Sequence, residues 1–278
     1  MTAGKAERPR PKRALGQNFL VDPNIQRKIV RELDPQAADV VLEVGPGHGE
    51  LSQYLVGCCR RLILIEKDRD LAAGLRDRWG DRPDVDVVEG DALRLEFSEF
   101  VRQATAVRVV SNVPYNITSP LVFAFLRLDP AATRIVLTVQ SEVAERIVAP
   151  PGIKAYGALS VGVQAIAGAS LAFRVGRQAF RPVPAVDSAV VRLEPRPDAA
   201  AVDRAAVRTL TRACFNRRRK QLQKTLRTAP ELSFAGDVEA VLAQLSIDPA
   251  VRPEMLDPPT FVRLAAALQA RQGGGASR

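Results

Sequence analysis

Val40-Val-Leu-Glu-Val44-Gly45-Pro-Gly47-His-Gly49 (VVLEVGPGHG) is a short, mainly apolar run that feeds straight into three alternate glycines. The Val- and Leu-rich part reads as a strand buried on both faces. The glycines read as a turn tight enough for a ligand to approach the backbone. The same pattern recurs downstream, where Leu62–Ile65 (LILI), Val85–Val88 (VDVV), Val107–Val110 (VRVV) and Ile135–Val139 (IVLTV) are strand-like. Between them lie stretches of helical spacing: Leu51–Val56, Leu71–Trp79, Phe97–Val101 and Leu121–Leu128. Strand alternating with helix predicts an α/β fold, a parallel, doubly wound Rossmann-like sheet. Leu171–Val175 and Ala189–Leu193 follow with no helix between them and are expected as a hairpin-like pair on one edge.

Pro195, Pro197 and the run Asp198–Ala201 mark a linker. Beyond it the period is helical, with candidates at Val202–Phe215, Lys220–Leu226, Val238–Leu245 and Phe261–Leu268, separated by Pro249, Pro253, Pro258 and Pro259. The expected organisation of the 278 residues is a basic N-terminal arm over 1–30, the sheet domain over 31–197 and a small helical C-terminal domain over 198–278. Charge follows the same division. Residues 1–31 carry 8 basic and 2 acidic side chains, residues 32–198 carry 19 and 22, and residues 199–278 carry 13 and 7. The net charge of +9 therefore resides at the two ends, a pattern that favours an extended nucleic-acid contact.

Other chemistries are disfavoured. His48 is the only histidine, which argues against a His-based metal site and a Ser-His-Asp triad. Cys58, Cys59 and Cys214 cannot build a disulfide framework, so a reducing cytoplasm is expected. No apolar core follows the basic N-terminus, so it does not read as a secretory signal. Ala155–Phe173 carries no charge, but its Gly, Ser and Gln residues favour a buried helix running into a strand over a membrane span.

Glu66 closes the second strand, Asp91 follows the third within Glu89-Gly90-Asp91, and Asn112 follows the fourth. With Gly45 and Gly47, these place polar or glycine residues at the carboxyl ends of consecutive strands, the edge where open α/β sheets bind ligands. There is no GxGxxG fingerprint and no Walker lysine, so a nucleoside without a pyrophosphate fits best. S-adenosylmethionine is the common one. Its ribose would pair with Glu66, its adenine edge with Asp91 and its amino-acid end with the glycine turn.

Asn112-Val-Pro-Tyr115 resembles the (N/D)PP(Y/F/W)-type motif of amino-methyltransferases, in the form used by adenine-N6 RNA dimethyltransferases. The resemblance spans nearly the whole chain. Leu15-Gly-Gln17-Asn18-Phe-Leu20 is similar to that family's N-terminal cofactor-contacting segment. Glu43–Leu51, Glu66, Gly90-Asp91 and Asn112–Pro120 (NVPYNITSP) match its successive motifs. Phe180–Ser188 matches its FxPxPxVxS segment, and Phe215–Lys220 (FNRRRK) its FxxRRK element. In order and spacing the chain resembles the bacterial small-subunit (16S) ribosomal RNA adenine-N6,N6-dimethyltransferases. Val113 replaces the usual Leu, and Thr118-Ser119 replaces Ser-Thr, changes that keep size and hydroxyls.

The resemblance implies a class I methyltransferase sheet and S-adenosylmethionine held by Gln17, Asn18, Leu20, Gly45, Gly47, Glu66, Asp91, Ala92 and Asn112. It implies catalysis by Asn112, Pro114 and Tyr115, with Phe180 stacking on the second face of the target base. The implied partner is 16S rRNA within a small-subunit precursor, approached by a monomer without metal or membrane. The implied reaction dimethylates adjacent adenines in a 3'-terminal hairpin loop. An adenine N6 lone pair is delocalised into its ring. The Asn112 side-chain oxygen and the Pro114 carbonyl would accept the amino hydrogens and aim that lone pair at the methyl group. Tyr115 would stack on the extruded base.

On a helix, Phe215, Leu222 and Leu226 would form an apolar stripe, with Arg217, Lys220 and Lys224 on another face. Together with Arg218 and Arg219 these basic residues are the candidate RNA contacts. Competing readings are a large-subunit (23S) adenine-N6 methyltransferase, a non-catalytic nucleic-acid-binding relative and a nicotinamide dehydrogenase. The GxGxG spacing and the lack of a catalytic His or Lys–Tyr pair count against the last.

Overall fold

A computed structural model describes residues 17–217, 220–232 and 238–273. Contacts divide the chain into two units. The first comprises the described residues up to Ala144 together with Ser170–Pro195; the second comprises Glu145–Ala169 and the described residues from Arg196. This departs from the expected single cut at 197/198. Residues 145–169 bury Ala149, Tyr156 and Val161 in the core of the C-terminal helices, and the Tyr156 hydroxyl donates to the Leu256 carbonyl at 2.7 Å.

In chain order the first unit begins with β1 (Phe19–Leu20), α1 (Pro23–Leu33), β2 (Val40–Val44), α2 (Ser52–Leu55), β3 (Arg61–Glu66), α3 (Arg69–Trp79) and β4 (Val85–Glu89). It continues with α4 (Phe97–Val101), β5 (Val107–Asn112), α5 (Thr118–Phe125) and β6 (Ala132–Gln140). Then come α6 (Ser141–Val148), α7 (Ala158–Gln164), β7 (Ala167–Val175), β8 (Phe180–Arg181) and β9 (Ser188–Pro195); the division between units falls within α6 and β7. The sheet has seven strands in the order β4-β3-β2-β5-β6-β9-β7. From β4 to β6 the pairs are parallel, and β9 runs antiparallel to β6. β2 is buried at every position, as a central parallel strand covered on both faces must be. β7 and β9 are neighbours at one edge, as expected, with β9 inside and β7 outermost. The charge-free stretch is α7 running into β7. Among the described residues no helix is long and apolar enough to cross a membrane.

Local chemistry sets the helix starts. The Asp22 carboxylate accepts the amides of Asn24 and Ile25, and Pro23 fills the first helical position of α1. Asp68 caps α3 through the Asp70 amide. α1 ends at Asp34, in the left-handed region at φ 52°, with its amide on the Val30 carbonyl.

The second unit contains α8 (Arg204–Phe215), α9 (Leu222–Thr228), α10 (Val238–Gln244) and α11 (Pro258–Gly273). Residues 215–226 are not one helix. After α8 the chain turns, with the Lys220 amide on the Arg217 carbonyl, and Gln221 is extended. The Leu222 and Gln223 amides bond Val251 and Pro249 carbonyls, so a tertiary contact opens α9. Leu222 and Leu226 still bury in the same core, and Phe215 packs there between Tyr156 and Phe261. The basic residues consequently do not share one helical face. Lys220 and Lys224 are exposed, Arg217 is drawn to Glu231 at 3.3 Å, and Arg218 and Arg219 lie outside the described residues.

Candidate active site

The carboxyl ends of β2, β3, β4 and β5 are stitched together sideways. The Ser111 hydroxyl donates to the Val44 carbonyl at 2.7 Å, the Gly45 amide to Ile65, and the Gly90 amide to Glu66. The glycine turn stands on this edge. Gly49 sits at φ +84°, where a Cβ would come within 2.5 Å of the Trp79 ring. Gly49→Ala is therefore expected to lose about 2–4 kcal/mol, combining left-handed strain with overpacking. A denaturant titration would show it as a lower midpoint with an unchanged slope.

Glu66, buried to 6% exposure, faces the turn. One carboxylate oxygen accepts the Gly47 amide at 3.1 Å and the other the Asp68 amide at 2.9 Å. Burial raises its pKa, and the Asp68, Gly47 and Lys67 amides oppose that shift. Each oxygen keeps a lone pair, the donor-seeking pair a vicinal diol requires. Glu43, on β2 below the turn, is also buried and accepts the Ser52 hydroxyl at 2.7 Å. Burial pushes its carboxyl up from the ordinary 4.5 to about 8, with Glu50 and Glu66 adding to the shift.

The sign of the Glu43 effect is definite. The folded chain holds this proton after the unfolded chain has released it, so the stability it confers is present below about pH 4.5 and is lost as pH rises toward 8. Glu43→Gln should flatten the decline of melting temperature over that window, with its gain over the parent growing as pH rises. Thermal melts across pH 5–8.5 check this; parallel curves for the two proteins would refute it.

Asp91 accepts Lys67 Nζ at 2.9 Å and the Leu93 amide at 3.0 Å, and Lys67 first, then the amide, holds its pKa low. The N-terminal strap runs beside these residues. The Gln17 side-chain amide donates to Asp68 at 3.2 Å, the Phe19 ring lies 4.5 Å from the His48 ring, and the Leu20 carbonyl accepts Gln26 at 2.6 Å. Asn112 binds the strap directly, its Nδ2 donating to the Asn18 carbonyl at 2.9 Å. That bond turns the amide so that Oδ1 is left to accept. The Val113 amide bonds Thr138, and the Pro114 carbonyl accepts the Ile117 amide at 3.1 Å and, at 3.5 Å, the Thr118 hydroxyl, which also reaches the Tyr115 carbonyl at 3.3 Å. Tyr115 is half-buried, and its hydroxyl is 2.7 Å from Ser188 Oγ on β9.

One cavity joins these groups. Gln17, Asn18, Leu20, Gly45, Gly47, Glu66, Asp91, Ala92, Asn112, Pro114 and Tyr115 all line it, as does Glu43. Phe180 does not. It is 0% exposed, paired through β8 with Leu20 of β1 and packed in the core of the first unit, so the expected stacking on a second base face is not available to it here. His48 is a turn residue against Phe19 and does not line the cavity. Three participants are not among the residues singled out from the sequence: Ser52 under Glu43, Lys67 on Asp91, and Ser188 on Tyr115. Only Ser188 carried a signal, as the last residue of the FxPxPxVxS match.

The model of the family described as "Ribosomal RNA adenine dimethylase" matches residues 9–256. "Ribosomal RNA small subunit methyltransferase A" of Pseudomonas aeruginosa is 40% identical over 93% of this chain and 95% of its own length. Its namesake from Nitratidesulfovibrio vulgaris is 42% identical over 94% and 97%. Among solved structures, a dimethyladenosine transferase from Plasmodium falciparum superposes with a TM-score of 0.81 at 27% identity, over 91% of this chain and 98% of that one. A 23S rRNA methyltransferase superposes with a TM-score of 0.67 at 26% identity, over 90% and 99%.

Proposed function

We propose a function that starts from membership: the chain belongs to the ribosomal RNA adenine dimethylase family. It is a ribosomal RNA adenine dimethyltransferase of the small-subunit type. In our reading it takes methyl groups from S-adenosylmethionine and places two on the N6 atom of each of two adjacent adenines in a 3'-terminal hairpin loop of 16S rRNA. It would act as a cytoplasmic monomer on a small-subunit precursor.

The observation that carries the reading is the convergence, on one cavity, of the glycine turn, Glu66 and the Asn112–Tyr115 segment. The residues fit the cofactor. The left-handed glycines leave the turn bare, Glu66 offers a lone pair on each oxygen to a ribose, and the Ala92 side of the cavity can take a flat base. Asp91 would keep Lys67 while its remaining lone pairs meet the base edge. S-adenosylmethionine supplies an electrophilic methyl on a sulfonium. Every other task falls to the protein. Asn112 Oδ1 and the Pro114 carbonyl, with the Thr118 hydroxyl turned to its nearer acceptor, the Tyr115 carbonyl, would accept the two amino hydrogens and pull the N6 lone pair out of the ring plane. Positive charge then builds on N6 beside those acceptors, which favours the transition state over the ground state. The proton leaves to solvent after transfer, so no side chain with a tuned pKa is needed. Tyr115 would hold the flipped base by stacking, worth about 1–3 kcal/mol.

RNA affinity would come from the basic ends. Replacing Lys220 and Lys224 by Ala should weaken binding to small subunits. Each lost phosphate contact should lower the log–log salt slope by about 0.7–0.9, with cofactor affinity unchanged. Filter binding across a salt series reads this, and an unchanged slope would remove both lysines from the interface. The likeness to a 23S rRNA methyltransferase keeps a large-subunit target as the second reading. Primer extension on both ribosomal RNAs after incubation with the protein separates them: stops confined to small-subunit RNA support the first, stops in large-subunit RNA the second.

A further inference from the structure

We propose that Ser188 is a positioning residue for methyl transfer, acting through the Tyr115 hydroxyl; this rests on the reading of Tyr115 as the stacking face for the target adenine. Ser188 is the first residue of β9, opposite Gln140 at the end of β6, and it is 0% exposed, so it cannot touch a substrate itself. Its Oγ lies 2.7 Å from the Tyr115 hydroxyl, across 73 residues of sequence. The approach of β9 to this point is fixed independently. The Ser141 amide donates to the Asp187 carbonyl at 3.0 Å, and the Asp187 carboxylate accepts the Arg177 amide at 2.9 Å.

Tyr115 begins a single 3-10 turn after β5, and without a tether its half-exposed ring would be free to rotate about its side-chain torsions. Asn112 and Tyr115 are thus held from opposite directions, the amide by the N-terminal strap and the ring by the antiparallel edge of the sheet. Stacking alone would be served as well by phenylalanine. The hydroxyl gives the ring one orientation, and an adenine stacked on it presents N6 to Asn112 at one angle. A misplacement of the acceptor nitrogen degrades the in-line approach even when the base still binds.

The test is a double-mutant cycle on Tyr115→Phe and Ser188→Ala, read by single-turnover methyl transfer at saturating cofactor and RNA, with cofactor affinity measured by calorimetry. Tyr115→Phe removes one oxygen from a partly exposed ring, so it should fold even if the buried Ser188 variant does not. Each single variant should transfer methyl about tenfold more slowly, with cofactor affinity unchanged, and the double variant should be no slower than the worse single within about twofold. Ser188→Thr, which keeps the hydroxyl, should recover most of the rate. Full activity of Tyr115→Phe, or additive losses in the double variant, would overturn the proposal. If the parent protein itself fails to methylate adenine, the functional reading has failed and not the tether.

Discussion

Asn112→Ala is expected to slow methyl transfer by about 10²–10³-fold at saturating S-adenosylmethionine while leaving small-subunit binding near the parental level. The contrast follows from where the two kinds of affinity originate. In the proposed reading RNA binding is drawn from the basic ends of the chain, whereas Asn112 sits at the carboxyl end of β5 on the cavity wall. Its Nδ2 is spent on the Asn18 carbonyl, and in the proposed mechanism its Oδ1 is the acceptor for the amino group. Alanine removes that acceptor and the strap contact together. Some cofactor affinity should be lost with the strap, but saturation restores occupancy and not rate. Single-turnover kinetics decide the matter. A variant that transfers methyl at the parental rate would make the motif structural and the adenine-N6 mechanism wrong.

Glu66→Ala should weaken S-adenosylmethionine binding by about 10²-fold or more. Two hydrogen bonds from ribose hydroxyls to a carboxylate are each worth about 1.5–3 kcal/mol, and every 1.4 kcal/mol is about tenfold in affinity. A second loss compounds the first. The carboxylate also holds the Gly47 and Asp68 amides, so its removal leaves both donors unpaired beneath the glycine turn. Calorimetry on a variant whose circular dichroism matches the parent checks this. Unchanged affinity in a folded variant would refute the assignment of Glu66 to the ribose.

Much of the cavity edge was legible because it is written in local terms. Buried parallel strands are apolar throughout, and polar residues appear at the points where the strands stop, so Gly45, Glu66, Asp91 and Asn112 could be aligned from their spacing. The misses all involve tertiary choice. The run Phe215, Leu222, Leu226 has helical offsets, yet bonds from Leu222 and Gln223 to the 249–251 loop break the helix. Residues 145–169 are apolar enough for either core, and nothing local says that Tyr156 finds the Leu256 carbonyl. A phenylalanine at position 180 has the same pattern whether it faces a ligand or the interior; the pairing of β8 with β1 turns it inward. The Tyr115–Ser188 bond joins two motifs whose separation in sequence conceals their contact.

Chemistry at adenine N6 is tested most directly by incubating the protein with methyl-labelled S-adenosylmethionine and undermethylated small subunits, then digesting the RNA to nucleosides. Label in N6,N6-dimethyladenosine from small-subunit RNA is the expected result; label confined to any other nucleoside, or none above that of Asn112→Ala, would contradict adenine-N6 chemistry.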